Sequence, residues 1–301
     1  MKTIADTFAT YKKGTAFLYD EKETEAITLL TVSEITGLSK AKIKAFPEFE
    51  FTPGQTRKLD DVLDKLKTGE PIQYILGKTE FYGLTFGVNP SVLIPRPETE
   101  ELVQWVITTM AALLLRADYV HLKPSFNVLD IGTGSGCIAI GLQKELPDCS
   151  VFAVDISEEA LKTAQNNAAL NQVAFKGLQA DILNLTTGAV NETLLLNTKF
   201  TTIVSNPPYV TQDDKNKMHK NVIDFEPHTA LFVPENDPLI FYRAIADFAC
   251  QTLTKKGLLF FEINESFGQQ IVDLLAKKGF INIELRKDMS GKHRMVKAEI
   301  G

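Results

Sequence analysis

Residues 128–142, VLDIGTGSGCIAIGL, indicate the fold of this chain. A short apolar run leads into a glycine-rich turn, which leads into a second apolar run. Gly132, Gly134 and Gly136 therefore fall at the carboxyl end of a strand, where glycine lets the backbone turn sharply and approach a ligand closely. The following helix N-terminus offers free N–H groups there. The pattern predicts a cofactor site, although such turns also serve only to pack a helix against a strand.

From about residue 126 onward, strand-like and helix-like segments alternate. This alternation is typical of an α/β fold with a doubly wound, mostly parallel sheet. The predicted strands are FNVLDI, SVFAVDI, a weak strand near Phe175, TTIVSN, GLLFFEI, FINIELR and RMVKAEI. Only KDMSGKH separates the last two, which is too short for a crossover helix. We therefore expect a seven-stranded sheet whose C-terminal strand is antiparallel.

The segments before the sheet predict a separate helical domain and a linker. Apolar residues recur at helical spacing in residues 1–75, and we expect the last of these helices to stop at Gly69. Residues 76–100 form the linker, in which aromatic and β-branched residues predict a β-hairpin. Pro97 then begins a helix. Residues 101–301 are the expected catalytic domain.

Composition favours a protein without nucleic-acid or membrane partners. The 301 residues are 44% hydrophobic and 23% charged, as in globular proteins, and the net charge of -6 disfavours long-range attraction to DNA or an anionic membrane. No segment approaches the roughly 18 uncharged apolar residues of a membrane span. The cysteines and histidines lack metal-ligand spacing. They are Cys137, Cys149, Cys250, His121, His219, His228 and His293. We expect no metal, buried cysteines and a reducing, cytoplasmic location.

Two features indicate which kind of ligand the glycine-rich turn would bind. Cys137 makes the pattern GxGxG rather than the dinucleotide GxGxxG, and no Gly-Lys-Ser/Thr follows, which excludes a phosphate-cradling P-loop. Asp155 ends the second predicted strand, where a carboxylate can accept hydrogen bonds from both hydroxyls of a ribose. Together these features favour an adenosine-containing ligand. Asp181 is either a turn or helix cap or a contact to the adenine amino group, and the residue alone favours neither.

The motif Asn206-Pro207-Pro208-Tyr209 follows the fourth predicted strand, beside the cofactor edge. Proline fixes φ and pushes the residue before it out of the helical region, so a rigid strand exit explains the stiffness. It does not explain Asn206 or Tyr209. A functional turn presents the Asn206 side-chain oxygen and a proline carbonyl as two acceptors, with an aromatic wall beside them. The predicted ligand is a planar NH2 group.

These motifs together resemble class I methyltransferases that use S-adenosylmethionine and modify a planar amide or exocyclic amine. Within that group, FYGLTFGVNPSVLIPRPETEELVQWV, EPHTALFVPENDPLIFYRAI and KDMSGKHRMV resemble the release factor glutamine methyltransferases, the HemK/PrmC family. The likeness runs from about residue 70 to the C-terminus, after a helical domain of family-like size. FVPEND, at 232–237, departs from the small glycine-containing residues common in the family, and we expect it to alter only a loop.

The resemblance implies that the methyl acceptor is the side-chain amide nitrogen (N5) of the glutamine in the Gly-Gly-Gln motif of class 1 peptide chain release factors, the proteins of translation termination. It implies contacts to S-adenosylmethionine, and to the product S-adenosylhomocysteine, at Gly132, Thr133, Gly134, Ser135, Gly136, Asp155, Asp181 and Asn206. It implies contacts to the substrate at Asn206, Pro207, Pro208 and Tyr209. Residues 1–75 and the hairpin are expected to engage the release factor. We expect a monomer.

Other uses of the same residues stay open. An N6-adenine nucleic-acid methyltransferase would apply the NPPY turn to a flipped base, and should show a basic groove, against which the acidic balance argues. An oxidoreductase would bind NAD at the same edge, but Cys137 fills the third glycine position and the NPPY turn would have no use.

Glu226 and Pro227 either close over the site or pack a loop. Arg96 and Glu98 either reach the cofactor edge or start a helix.

Overall fold

The computed structural model describes residues 1–114, 126–185, 189–216 and 218–301. Contacts divide the chain into two units. The first comprises Met1–Lys78 with His219–Phe225, and the second comprises Thr79–Met218 with Glu226–Gly301. His121, one of the histidines considered above, lies outside the described residues.

Five N-terminal helices make up most of the first unit. They are α1 (Ile4–Thr15), α2 (Glu21–Thr36), α3 (Lys40–Ala45), α4 (Pro53–Lys67) and α5 (Ile72–Leu76). Thr3 and Thr52 start α1 and α4 with capping boxes, in which the threonine hydroxyl accepts the N–H of the third helical residue. Tyr11 is buried and donates to the carbonyl of Leu59 at 2.8 Å. The helix predicted to stop at Gly69 does end there, since α4 stops at Lys67 with Thr68 as its C-cap. It is not the last helix as predicted, because α5 follows.

A β-hairpin begins the second part of the chain, as predicted. Its strands are β1 (Lys78–Phe81) and β2 (Leu84–Gly87). Tyr82 and Gly83 form the two-residue turn with φ of 51° and 70°, and two positive φ values are what a type I′ hairpin turn requires. The side chain of Asn167 accepts the N–H of Gly87 at 2.6 Å and donates to its carbonyl at 2.9 Å.

Strands and helices then alternate. The strands are β3 (Asn127–Ile131), β4 (Ser150–Asp155), β5 (Lys176–Gln179), β6 (Phe200–Ser205), β7 (Leu253–Glu262), β8 (Phe280–Lys287) and β9 (His293–Ile300). The helices are α6 (Pro97–Leu114), α7 (Cys137–Glu145), α8 (Glu158–Leu170), α9 (Val190–Asn197), α10 (Gln212–Lys215), α11 (Lys220–Phe225), α12 (His228–Leu231), α13 (Ile240–Thr252) and α14 (Gly268–Lys277). Pro97 begins α6 as predicted, and the hydroxyl of Ser157 caps α8 by accepting the N–H of Ala160.

The seven strands form one sheet in the order β5–β4–β3–β6–β7–β9–β8. β3 pairs in parallel with β4 and with β6, so Ile131 lies level with Val154 and Ser205. β9 is antiparallel to both of its neighbours. The predicted sheet with an antiparallel C-terminal strand is therefore confirmed. Because β3 to β7 run the same way, their carboxyl ends share one edge.

Apolar side chains cover both faces of the sheet. One cluster includes Val106 of α6 and Ile140 of α7, and the other includes Ile245 of α13. Phe260 and Phe261 are consecutive on β7 and belong to different clusters, as the alternation of side chains along a strand requires. Every residue of β6 is buried. The strand that leads into the NPPY turn is therefore held from both faces.

The sequence did not predict four short helices, α9 to α12. α10 and α12 contain four residues each, and apolar periodicity needs several turns before it carries a signal. The expectation of three buried cysteines is right only for Cys149. Cys137 is half-buried and Cys250 is exposed.

Candidate functional site

The glycine-rich turn connects β3 to α7 at the carboxyl edge of the sheet. Gly132, Gly134 and Gly136 have φ of 75°, 53° and 82°, values that other residues rarely adopt. A Cβ atom on Gly134 would have no neighbour within 4 Å, and one on Gly132 would meet the carbonyl oxygen of Asn206 at 4.0 Å. The backbone at the first two glycines is therefore open to a ligand.

Gly136 has a different role. A Cβ atom there would lie 3.0 Å from Ala164 Cβ and 3.0 Å from Ile140 Cδ1. The absent side chain therefore lets α7 approach α8. Both interpretations of the glycine-rich turn hold, at different positions within it.

Thr133 and Ser135 are buried and bonded within the protein. Thr133 Oγ1 donates to Asp130 Oδ2 at 2.7 Å, and the carbonyl of Ser135 accepts from Asn167 Nδ2 at 2.9 Å. Asp130 is fully buried, and this burial raises its pKa to about 7. Thr133 and Ser135, like Gly136, do not line the cavity at this edge.

Asp155 ends β4 beside the turn. Its Oδ2 accepts the N–H of Gly134 at 2.9 Å, and its Oδ1 accepts the N–H of Ser157 at 2.9 Å. Burial raises the pKa of Asp155, and these backbone bonds oppose the rise. A carboxylate has about four lone-pair sites, so Asp155 keeps acceptor capacity for a ligand.

A cavity of about 360 Å³ opens at this edge, within the range of small-molecule sites. We call it the cofactor cavity. Among the predicted site residues, those that line it are Gly132, Gly134, Asp155, Asp181, Asn206, Pro207 and Pro208. The structure thus brings together residues from four strand ends that are far apart in sequence.

Asp181 lines the cofactor cavity and also closes a turn. Its Oδ1 accepts the N–H of Leu183 at 2.9 Å, and its Oδ2 accepts from Asn184 Nδ2 at 2.7 Å. Asp181 therefore has the predicted role in a turn, and it also lies at the cavity wall.

The sequence analysis missed an apolar wall of the cofactor cavity. Ile156 is 57% exposed and Leu183 is 36% exposed, and both line the cavity. Large aliphatic side chains at such exposure suit a planar ring that covers them. A signal was present, because Ile156 directly follows Asp155 and Leu183 lies two residues after Asp181, and both aspartates lie at or just beyond a strand end.

The NPPY turn leaves β6 at the same edge. Ser205 Oγ donates to the carbonyl of Ile131 at 2.7 Å, which ties the end of β6 to β3. Asn206 Nδ2 donates to Thr99 Oγ1 at 3.3 Å. Asn206 Oδ1 has no donor among the residues that the structure describes, so its acceptor capacity is free.

Tyr209 and Thr99 share one buried carboxylate. The hydroxyl of Tyr209 donates to Glu262 Oε1 at 3.0 Å, and Thr99 Oγ1 donates to Glu262 Oε2 at 2.6 Å. Burial raises the pKa of Glu262, and the two hydroxyl donors oppose the rise. Burial, together with the negative charge of Glu262, raises the pKa of Tyr209, so the phenol keeps its proton. The sequence analysis did not select Thr99 or Glu262.

A second cavity, of about 260 Å³, adjoins the first. Its lining includes Arg96, Tyr209, Asp214, Asn264 and Arg294. We call it the acceptor cavity. Residues that line both cavities are Leu93, Asn206, Pro207 and Ala230. The two spaces therefore meet at the first half of the NPPY turn.

Glu226 fastens the segment that precedes α6. Its buried carboxylate accepts the N–H of Ile94 at 3.3 Å and Arg96 Nη2 at 2.6 Å. Leu93, within that segment, lines both cavities. Glu226 therefore packs a loop at the site, and Arg96 reaches the acceptor cavity.

No cluster of three or more His, Cys, Asp or Glu side chains suited to a metal ion occurs in the described ranges. Among the helices of the described residues, none combines the length and apolar character needed to cross a membrane.

Two parts of the chain match known protein families. Residues 10–77 match the family described as the PrmC N-terminal domain, and residues 109–227 match the methyltransferase small domain. A solved structure, the 16S rRNA N2 G1207 methyltransferase of T. thermophilus in complex with AdoMet and guanosine, aligns with a TM-score of 0.50 and 19% identity. The alignment covers 74% of this chain and 50% of that one, and it shows a methyltransferase fold.

Whole-chain relatives decide the family. A release factor glutamine methyltransferase of Flavobacterium psychrophilum is 45% identical over 95% of each chain. One of Bacteroides thetaiotaomicron is 40% identical over 93% of this chain and 94% of its own. Identity at this level spans both units and confirms the resemblance stated from the motifs. This chain belongs to the family of the release factor glutamine methyltransferases.

Proposed function

We propose that this protein transfers a methyl group from S-adenosylmethionine to the side-chain amide nitrogen of the glutamine in the Gly-Gly-Gln motif of class 1 peptide chain release factors. Family membership supports this choice of substrate. The observation that carries the proposal is the meeting of two cavities at Asn206. A transfer reaction needs its two reactants to approach each other at one point, and this arrangement supplies one.

The cofactor cavity fits S-adenosylmethionine in its volume and in its lining. When bound, that molecule supplies a methyl group on a positively charged sulfur, which is a good leaving group. Asp155 keeps lone pairs that can accept from ribose hydroxyls, and Ile156 offers an apolar surface to the adenine ring. Gly132 and Gly134 leave the backbone uncovered. We assign Asp181 to the adenine end of the cavity.

The acceptor cavity holds the glutamine side chain in this proposal. An amide nitrogen is a poor nucleophile, because its lone pair is delocalised into the carbonyl group. Asn206 Oδ1 and the Pro207 carbonyl would each accept one N–H, which orients the nitrogen. As the nitrogen gained the methyl group, the sulfur would keep the electron pair of the broken bond and one N–H proton would leave to solvent. The ring of Tyr209 forms the wall beside it. Positioning of this kind supplies roughly 7–11 kcal/mol in well-oriented intramolecular reactions.

Recognition of the intact release factor belongs to the helical domain in this proposal. Residues 1–75 contain none of the predicted site residues, and residues 10–77 match a family-specific N-terminal domain. We propose that this domain, with the hairpin, engages the release factor. We also propose that the protein acts as a monomer in the cytoplasm, where the release factor would be found.

The test is methyl transfer from S-adenosylmethionine labelled in its methyl group. The acceptors are a class 1 release factor, the same factor with the motif glutamine changed to alanine, and double-stranded and single-stranded DNA. We expect label in the intact factor only, at the motif glutamine by peptide mass spectrometry. Label in DNA would favour the N6-adenine alternative. Equal labelling of the alanine factor would contradict the proposed acceptor.

A further inference from the structure

A chain of hydrogen bonds, half-buried at Asn206 and buried at Glu262, runs behind the NPPY turn. It passes from Asn206 Nδ2 to Thr99 Oγ1 at 3.3 Å, and from Thr99 Oγ1 to Glu262 Oε2 at 2.6 Å. Thr99 is 2% exposed and Glu262 is 1% exposed. The three side chains come from different elements, since Thr99 lies in the first turn of α6 and Glu262 ends β7.

Resting on the function proposed above, we propose that Glu262, acting through Thr99, fixes the direction of the Asn206 side-chain amide, so that its oxygen is the atom presented to the substrate. Thr99 and Glu262 are then positioning residues, and Asn206 is the residue that contacts the substrate nitrogen.

The number of protons available to these side chains determines the direction of each hydrogen bond. Each oxygen of the Glu262 carboxyl group accepts a hydroxyl proton, one from Tyr209 and one from Thr99, and a threonine hydroxyl has a single proton. Thr99 gives that proton to Glu262, so toward Asn206 its oxygen can only accept. An asparagine amide carries its acceptor on one side and its donors on the other. Turning the Asn206 amide over would oppose two acceptors in a buried site, which costs free energy.

The direction matters because the substrate group is itself an NH2 group. With Oδ1 toward the cavities, Asn206 accepts an N–H of the substrate amide. With Nδ2 in that place, two donor groups would oppose each other and the nitrogen would not be oriented. Glu262 also accepts the hydroxyl of Tyr209, so one carboxylate holds both polar side chains of the motif.

Three substitutions separate this role from simple packing. Thr99→Val keeps the shape and removes the hydroxyl. Thr99→Ser keeps the hydroxyl. Glu262→Gln keeps the size but adds a donor, which frees the Thr99 proton for Asn206 Oδ1 and favours the inverted amide. Thr109→Val is the matched control, because Thr109 lies on the same helix and donates to the backbone carbonyl of Trp105.

The first measurements are kcat and KM for release-factor methylation, the Kd for S-adenosylmethionine by calorimetry, and thermal melts. We expect Thr99→Val and Glu262→Gln to lower kcat by about 10- to 100-fold, the range of one lost buried hydrogen bond. Cofactor Kd should stay within about threefold for both. Thr99→Ser and Thr109→Val should keep kcat within about threefold of the wild-type value. Wild-type kcat in Thr99→Val, or equal loss in Thr99→Ser, would overturn the assignment.

A spectroscopic measurement keeps the test independent of the substrate. The side-chain NH2 resonances of Asn206, assigned by their loss in Asn206→Asp, report directly on the bond to Thr99. We expect slowed hydrogen exchange at this group in the wild-type protein and in Thr99→Ser, and faster exchange in Thr99→Val. Unchanged exchange in Thr99→Val overturns the inference. A wild-type protein that shows the NH2 signature and transfers no methyl group to release factor overturns only the proposed function.

Discussion

Asn206 is the residue on which the proposed reaction depends most, because its free side-chain oxygen is the proposed acceptor for an N–H of the substrate amide. Asn206→Ala removes that oxygen and leaves a substrate N–H unpaired, at a cost of about 1–3 kcal/mol in transition-state stabilisation. We expect a matching fall in kcat/KM with little change in melting temperature, since Pro207 and Pro208 still set the turn. Asn127→Ala is the control, because Asn127 begins β3, at the opposite end from the site. Wild-type turnover in Asn206→Ala would show that the NPPY turn serves only as a rigid exit from β6.

Asp130 makes the folded state sensitive to pH. Its pKa of about 7 in the folded protein exceeds its ordinary value of 3.8, because the carboxyl is fully buried. The folded state therefore keeps a proton that the unfolded chain has lost between these values. Its stabilising contribution is complete below the lower pKa and is lost as pH rises toward 7, with a maximum slope of about 1.4 kcal/mol per pH unit.

Asp130→Asn removes this titration and keeps an acceptor for the hydroxyl of Thr133. We expect the melting temperature of the variant, minus that of the wild-type protein, to increase between pH 5 and pH 7. Differential scanning calorimetry at matched ionic strength measures the difference. A difference that stays constant with pH would show that Asp130 does not titrate in this range.

Sequence reasoning at the residue scale succeeded where a residue type is unusual for its local setting. The sequence identified four such residues, and the structure places all of them at one cavity. They are Gly132 and Gly134 just after a strand, Asp155 at a strand end and Asn206 before two prolines. Thr99 and Glu262 carried no local signal, since an ordinary helix start also contains threonine. Their contact joins residues 99 and 262, and only the sheet order brings them together.

At the scale of elements, Gly136 controls how closely α7 can approach α8. Gly136→Ala forces a Cβ atom to 3.0 Å from Ala164 Cβ at a φ of 82°, so crowding adds to backbone strain. Overpacking typically costs about 1–3 kcal/mol. Gly279→Ala is the matched control, because Gly279 has a φ of 88° and its Cβ position is empty. In urea denaturation we expect the larger loss of stability in Gly136→Ala, and equal losses would mean that strain alone matters.

The elements that sequence reasoning identified are those with a chemical start signal or several turns of periodicity. Pro97 marked α6, because proline lacks an N–H and its fixed φ suits the first position of a helix. α10 and α12 were missed because four residues make little more than one turn. α5 was missed because Gly69 was expected to end the last helix, although Pro71 just beyond it suits a new helix start.

At the scale of the whole molecule, recognition and chemistry are expected to separate. A protein that begins at residue 79 keeps every proposed site residue. We expect it to bind S-adenosylmethionine with unchanged Kd and to methylate a short Gly-Gly-Gln peptide normally. Its kcat/KM for the intact release factor should fall at least about tenfold, as loss of interface contacts implies.

The comparison of peptide with intact factor is the control for this truncation. Residues 219–225 stay in the shortened protein although they belong to the first unit, so circular dichroism must first show that the second unit is folded. Equal losses on both substrates would indicate damage to the site, and an unchanged kcat/KM on the intact factor would remove the recognition role.

The order of strands in the sheet also constrains the order of events when the chain folds. β8 lies at the sheet edge with β9 as its neighbour, and β9 in turn lies against β7. During synthesis β8 leaves the ribosome before β9 does, so it emerges before the strand to which it will be hydrogen-bonded. Because β9 must dock on β7 before β8 has a place in the sheet, the amides of β8 should gain protection no earlier than those of β9 in pulsed hydrogen exchange during refolding. Protection of β8 before β9 would contradict this order. Protection of both strands before β7 would mean that they pair with each other first and join the sheet as a preformed hairpin.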